Sequence, residues 1–86
     1  MDNLNGRGRL LKAFEDVGED GCTTIDLKGL GVVKLAIVTP LRKKGQELRL
    51  TAQLLPSKDV IVLTVPDGSD DLNYEIRPIN EEDVNN

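Results

Sequence analysis

The residue types that carry most enzyme chemistry are scarce in this chain. Its 86 residues include no histidine, one cysteine and two serines, Ser57 and Ser69, both in segments with turn composition. A Ser-His-Asp or Cys-His site is therefore impossible, and a zinc site lacks its usual ligands. Neither of the common phosphate-binding glycine loops is present. We predict that the protein is not an enzyme and that it binds no cofactor and no metal ion.

Basic side chains offer the clearest binding chemistry. Arg42, Lys43 and Lys44 are consecutive and Arg49 follows close by, so this segment could contact an acidic protein surface or phosphate groups. A charged turn that only stays in water is the alternative interpretation. Nucleic acid is the weaker of the two partner hypotheses, because the net charge is −4 and only Phe14 and Tyr74 could stack on bases.

The acidity of the chain is concentrated in its last quarter. Residues 1–66 have ten Lys/Arg and eight Asp/Glu, whereas residues 67–86 have one Arg and seven acids. The final acidic group, Glu81, Glu82 and Asp83, is a second candidate binding site, for a basic partner or for the protein's own basic segment. A solvated tail that aids solubility is the alternative.

Secondary structure must position these charges, and the clearest signal is a hairpin over residues 47–65. Residues 47–54 alternate apolar and polar, which is the pattern of a half-buried strand. Residues 60–65 are mostly β-branched and almost all apolar, which predicts a strand covered on both faces. Residues 56–59, between them, have turn composition.

The other segments predict one helix and three more strands. Leu10, Phe14 and Val17 share a helical face within residues 9–17, and Gly18 follows. Strands are predicted at 22–27, 32–39 and 72–76. The fold class is α+β, with one N-terminal helix followed by about five antiparallel strands in a small barrel-like or strongly bent meander sheet. This order is similar in outline to small barrels of the Sm type, whose sequence motifs are absent, so no function is carried over.

Length and composition predict a single small domain over residues 1–86, with an ordered core at 9–78 and mobile ends at 1–8 and 79–86. The lone Cys22 suits a reducing compartment, and no apolar run is long enough to cross a membrane. We expect a cytoplasmic protein of the viral or bacterial accessory type with no membrane contact. A small core with few aromatic residues also favours a homo-oligomer.

In an alternative interpretation, residues 24–44 form a helix-turn-helix instead of strands. It resembles a winged-helix DNA-binding protein, with residues 33–44 as the recognition helix and 47–65 as the wing. Pro40 would interrupt that helix, and five β-branched residues within 32–39 favour a strand.

Together these features predict a small acidic binding module that acts as a regulator or inhibitor through protein–protein contact. The winged-helix DNA-binding protein is one alternative. A structural subunit of a homo-oligomeric assembly is another. The outer strands of the predicted sheet, 22–27 and 72–76, are relevant to both protein-binding hypotheses, because unpaired strand edges can pair with another chain.

Overall fold

A computed structural model describes residues 5–78 of the chain. The elements are α1 (Gly6–Glu15), β1 (Cys22–Leu27), β2 (Gly31–Ile37), β3 (Arg42–Lys44), β4 (Glu47–Leu55), β5 (Val60–Val65) and β6 (Asn73–Arg77). The predicted α+β fold with one N-terminal helix is confirmed. At ten residues, α1 is too short to cross a membrane, and the described part of the chain has no other helix.

The six strands of residues 5–78 belong to one antiparallel sheet, in which five follow the order β1-β2-β4-β5-β6 and β3 pairs only with β4. β3 pairs with the first residues of β4, whereas β2 pairs with the last ones, so both lie along the same side of β4. The predicted succession of antiparallel strands is confirmed. The sheet is not closed into a barrel, which was one of the two predicted shapes, because within residues 5–78 no strand pairing joins β1 to β6.

The sheet is nevertheless strongly curved. The Tyr74 hydroxyl on β6 donates a hydrogen bond to the carbonyl of Lys28, just after β1, at 3.2 Å. In a flat sheet, four strand spacings of about 4.8 Å would separate β1 from β6. A single side chain can reach across only because the sheet curls around its core.

The helix-turn-helix interpretation of residues 24–44 is wrong. This segment forms the end of β1, all of β2 and the short strand β3. A tight turn joins β1 to β2, with positive φ angles of 93° at Gly29 and 76° at Gly31 that suit glycine. No recognition helix exists over residues 33–44, so the winged-helix alternative loses its structural basis.

The helix begins at Gly6, three residues before its predicted start. Asn5 caps it, since its side-chain oxygen accepts a hydrogen bond from the Gly8 amide at 2.6 Å. The Gly6 amide donates to the Asp70 carbonyl at 2.7 Å, and a Cβ atom at Gly6 would overlap the backbone of the loop before β6. A glycine at this position therefore lets the helix start against that loop.

The hydrophobic core lies between α1 and one face of the sheet. Every second residue of β1, β4 and β5 points into it, as the alternating burial of these strands shows. The fully buried side chains with the largest volumes are Leu10, Leu27, Leu35, Leu50, Ile61, Leu63 and Val65.

The opposite face of the sheet, called here the outer face, is open. On β5 it carries Val60, Val62 and Thr64, which are only half-buried. The prediction that this strand is covered on both faces is therefore wrong. α1 covers one side, and no element of residues 5–78 packs against the other.

Candidate binding surfaces

The four basic residues predicted as a binding site lie on a single hairpin. β3 and β4 pair in a register that places Arg42 opposite Arg49 and Lys43 opposite Leu48. The two strands are joined by a two-residue turn whose first residue, Gly45, has a φ of 59°, as the tight turns of such hairpins require. All four cations are exposed. We call residues 42–49 the basic hairpin.

Arg42 and Arg49 are direct cross-strand neighbours on the outer face. Arg49 must point to that face because Leu48 and Leu50, on either side of it, are buried. Side chains at such paired positions start about 4.5–5.5 Å apart, where two like charges destabilise the sheet. Neither arginine forms an ion pair with another residue of the described part. An anion supplied from elsewhere would offset this repulsion.

This repulsion can be tested without any partner. We expect Arg42→Thr to raise the free energy of unfolding by roughly 0.2–1 kcal/mol, because it removes the like-charge pair and introduces a residue with high strand propensity. Urea denaturation at low salt measures the change. Lys34→Thr is the matched control, since Lys34 is an exposed cation of the outer face whose cross-strand neighbours are Thr24 and Leu55. Equal changes in the two variants would show that the arginines do not repel each other.

Arg7 of α1 adds a cation that the sequence analysis missed. Its guanidinium donates a hydrogen bond to the carbonyl of Gln46 in the turn of the basic hairpin. Lys43 points to the same side of the sheet as α1, since it pairs with the buried Leu48. The hydrogen bond between Arg7 and Gln46 joins residues 39 positions apart, and no local sequence pattern indicates it. Arg7 both fixes the turn and extends its positive charge.

The second predicted site, Glu81, Glu82 and Asp83, lies outside the described residues. The geometry of β6 does show the direction in which the chain leaves the sheet. Asn73, the first residue of β6, pairs with Thr64 of β5, and Thr64 pairs with Arg49 of β4. Arg77, at its end, lies opposite Val60. The last described strand therefore runs away from the basic hairpin.

The prediction that β1 and β6 form the two edges of the sheet is confirmed. The edge of β1 is partly occupied by its own loop, since the Cys22 carbonyl accepts from Gly18 and the Cys22 amide donates to the Asp20 carboxylate, both at 3.0 Å. Beyond Cys22, this edge faces a cleft of about 370 Å³ beside α1. Charges of both signs line that cleft: Arg9, Lys12, Asp16 and Asp26.

The edge at β6 is more open. Four of its five residues are exposed, and only Tyr74 is half-buried. Glu75 and Arg77 point to the outer face, where their side chains form an ion pair with 3.3 Å between Oε2 and Nε. Within residues 5–78, no backbone group outside the sheet ladder bonds to β6. This strand therefore offers backbone donors and acceptors to another chain.

No arrangement typical of a catalytic or metal centre is found in the described part of the chain. No three side chains of the His, Cys, Asp or Glu type converge there in a way that could hold a metal ion. Cys22 is half-buried, with its Sγ atom 3.7 Å from the carbonyl of Asp20. The prediction that the protein is not an enzyme stays a prediction.

Comparison with known proteins assigns no family to the chain. No protein-family model, no curated protein and no solved structure matches it. Arguments about its function therefore depend on the basic hairpin and the open sheet edge.

Proposed function

We propose that the protein is a non-enzymatic binding module that regulates or inhibits another protein by contacting an acidic surface through its basic hairpin. The observation that supports this most is the Arg42–Arg49 pair. The pair keeps two like charges side by side on an exposed face, without an ion-pair partner in the described residues. Carboxylates of a partner would turn this arrangement into charge-assisted, bidentate hydrogen bonds, for which the guanidinium group is well suited.

The hairpin is also rigidly supported. Leu48 and Leu50 anchor β4 in the core, and Arg7 holds the turn at Gln46. A binding segment that is already ordered loses less conformational entropy on association than a flexible loop does. The free energy gained from contacts with a partner is therefore offset by only a small loss of conformational entropy in the hairpin.

The basic hairpin and Arg7 carry a net positive charge. Their five cations outnumber the nearby acids Glu47, in the hairpin, and Asp67, which lies beside Lys44 and Gly45. A negatively charged surface is therefore attracted to the hairpin, and this attraction is sensitive to salt.

The test is the double variant Arg42→Glu/Arg49→Glu in affinity capture from the native host. We expect it to lose the protein that the wild type retains, with affinity for the purified partner reduced roughly ten-fold or more. Binding by the wild type should weaken as salt rises. Lys28→Glu/Lys34→Glu is the matched control, because it makes the same change in net charge at exposed positions outside the hairpin.

Three results would contradict the proposal. Equal loss in both double variants would mean that only net charge matters, and retention by Arg42→Glu/Arg49→Glu would mean that the hairpin is not the contact. A gel shift of duplex DNA that only the hairpin variant abolishes would assign the hairpin to phosphate binding instead.

The open edge of β6 favours a second candidate function, a structural subunit of a homo-oligomeric assembly in the cytoplasm.

A further inference from the structure

We infer that two copies of the chain pair edge to edge through β6, so that their sheets join into one continuous antiparallel sheet. This inference goes beyond the proposed binding of an acidic surface by the basic hairpin. It deepens the second candidate function, a homo-oligomeric subunit, by naming the edge and the register through which two copies pair. Three features of β6 support this inference. Some of its backbone groups point outward, both of its ends are limited by other groups, and the possible pairing registers bring different charges together.

The hydrogen-bond pattern of β4 and β5 determines the orientation of the β6 backbone. The Leu54 amide donates to the Asp59 carbonyl at 2.8 Å, at a position that continues the β4–β5 register. In an antiparallel ladder, successive residues direct their N–H and C=O groups alternately to one neighbour and to the other. The residues of β5 that face β6 are therefore Val60, Val62 and Thr64. Their partners on β6 are Arg77, Glu75 and Asn73.

The remaining residues of β6, Tyr74 and Ile76, direct their N–H and C=O groups away from the sheet. No backbone partner for either is found within residues 5–78. Just before β6, α1 blocks the same edge, since a Cβ atom at Gly6 would collide with the Leu72 nitrogen. The accessible part of the edge is therefore 73–78, and Ile76, a large apolar residue with 36% exposure, lies near its middle.

A two-fold axis through Ile76 gives the favourable register. Each Ile76 then lies opposite its counterpart in the second copy and exchanges two backbone hydrogen bonds with it. Glu75 lies opposite Arg77 of the second copy, and the reverse pair forms as well. Both pairs occupy non-hydrogen-bonded positions, where side chains approach most closely. The ion pair that each chain holds on its outer face becomes a group of four alternating charges.

Pairing in the neighbouring registers is less stable than pairing in the register centred on Ile76. A shift that centres the axis on Glu75 places two carboxylates directly opposite each other, which is destabilising. A shift that centres it on Tyr74 requires Leu72 in the ladder, where Gly6 already lies. Pro78 limits the ladder on the other side, because it has no N–H group to donate. Charge and steric fit therefore select the register centred on Ile76.

The experiment is sedimentation equilibrium of the full chain and of two charge variants, Glu75→Arg and Arg77→Glu. We expect the wild type to dimerise reversibly and each variant alone to dissociate at least roughly ten-fold more readily, because every cross-strand pair becomes a like-charge pair. An equimolar mixture of the two variants should recover association as a mixed dimer, since two positive side chains of one copy then face two negative side chains of the other. Asp26→Arg, on the outer face of β1, is the control and should dimerise like the wild type.

A second variant tests the backbone part of the inference. Ile76→Pro removes an outward N–H group and leaves the bonds between β5 and β6 intact, so folding by circular dichroism should be kept while association is lost. A wild type that is monomeric at all concentrations, or variants that associate unchanged, would overturn the inference. Arg42→Glu/Arg49→Glu should still dimerise, so failure of β6 pairing and failure of hairpin binding are separable.

Discussion

Leu50→Ala is expected to lower the free energy of unfolding by about 2–5 kcal/mol. Leu50 is completely buried in β4, which pairs with three other strands, and lies opposite Leu63, which is also completely buried. Its truncation leaves a cavity in the core that the surrounding strands cannot easily close. A domain has only about 5–15 kcal/mol of stability in total, so the loss is a large share of it. Urea denaturation monitored by circular dichroism measures the change.

Thr51→Ala is the matched control for Leu50→Ala. Thr51 is the next residue of β4 and points to the outer face, where it is half-buried. We expect a change of about 1 kcal/mol or less, since few contacts are lost on an open face. Similar losses in both variants would contradict the assignment of one covered and one open face to this sheet.

Leu10→Ala tests the cover of the core and is also expected to cost about 2–5 kcal/mol. Leu10 is completely buried, and α1 is the one element of the described chain that packs over the sheet. A ten-residue helix is marginal on its own, so its order depends on this packing. Loss of the side chain should therefore both destabilise the fold and reduce helicity, as urea denaturation and circular dichroism would measure.

Leu11→Ala provides an internal comparison for Leu10→Ala. The two residues are chemically identical and adjacent, but Leu11 is 37% exposed. We expect Leu11→Ala to change stability by less than about 1.5 kcal/mol, because less apolar area leaves contact with the core. If Leu11→Ala destabilised the protein as much as Leu10→Ala, the helix would have to pack by a different face.

The features of the fold that the sequence reveals are those set by local periodicity. Alternation from Glu47 onward and the apolar run that ends at Val65 predict β4 and β5, and the density of β-branched residues before Pro40 favours a strand over a helix. These predictions agree with the structure because side chains alternate between the two faces of a strand, and this alternation determines which residues can be buried.

The features that the sequence hides depend on tertiary contacts. β3 has three consecutive cations and no alternation, and it is a strand only because Gly45 turns it against β4. Arg7 joins the basic hairpin through the fold and not through any motif. The apolar run of β5 suggests two covered faces, but whether a second layer exists cannot be read from one strand.

The two proposed surfaces occupy different parts of the sheet. The basic hairpin lies beside the first residues of β4, whereas the accessible edge extends from the Asn73 row toward Pro78. A dimer formed through β6 would therefore carry two basic hairpins. If both contact a partner that is itself dimeric or repetitive, the second contact becomes intramolecular and the apparent affinity rises.

The basic hairpin and the position of β6 at the sheet edge both require β2 and β3 to lie extended along the same side of β4. Nuclear Overhauser spectroscopy tests this arrangement directly. We predict strong contacts between the α-protons of Leu35 and Leu54 and between those of Lys43 and Leu48, which occupy non-hydrogen-bonded pairs. Continuous helical chemical shifts over residues 33–44, without these contacts, would contradict the account and restore the DNA-binding interpretation.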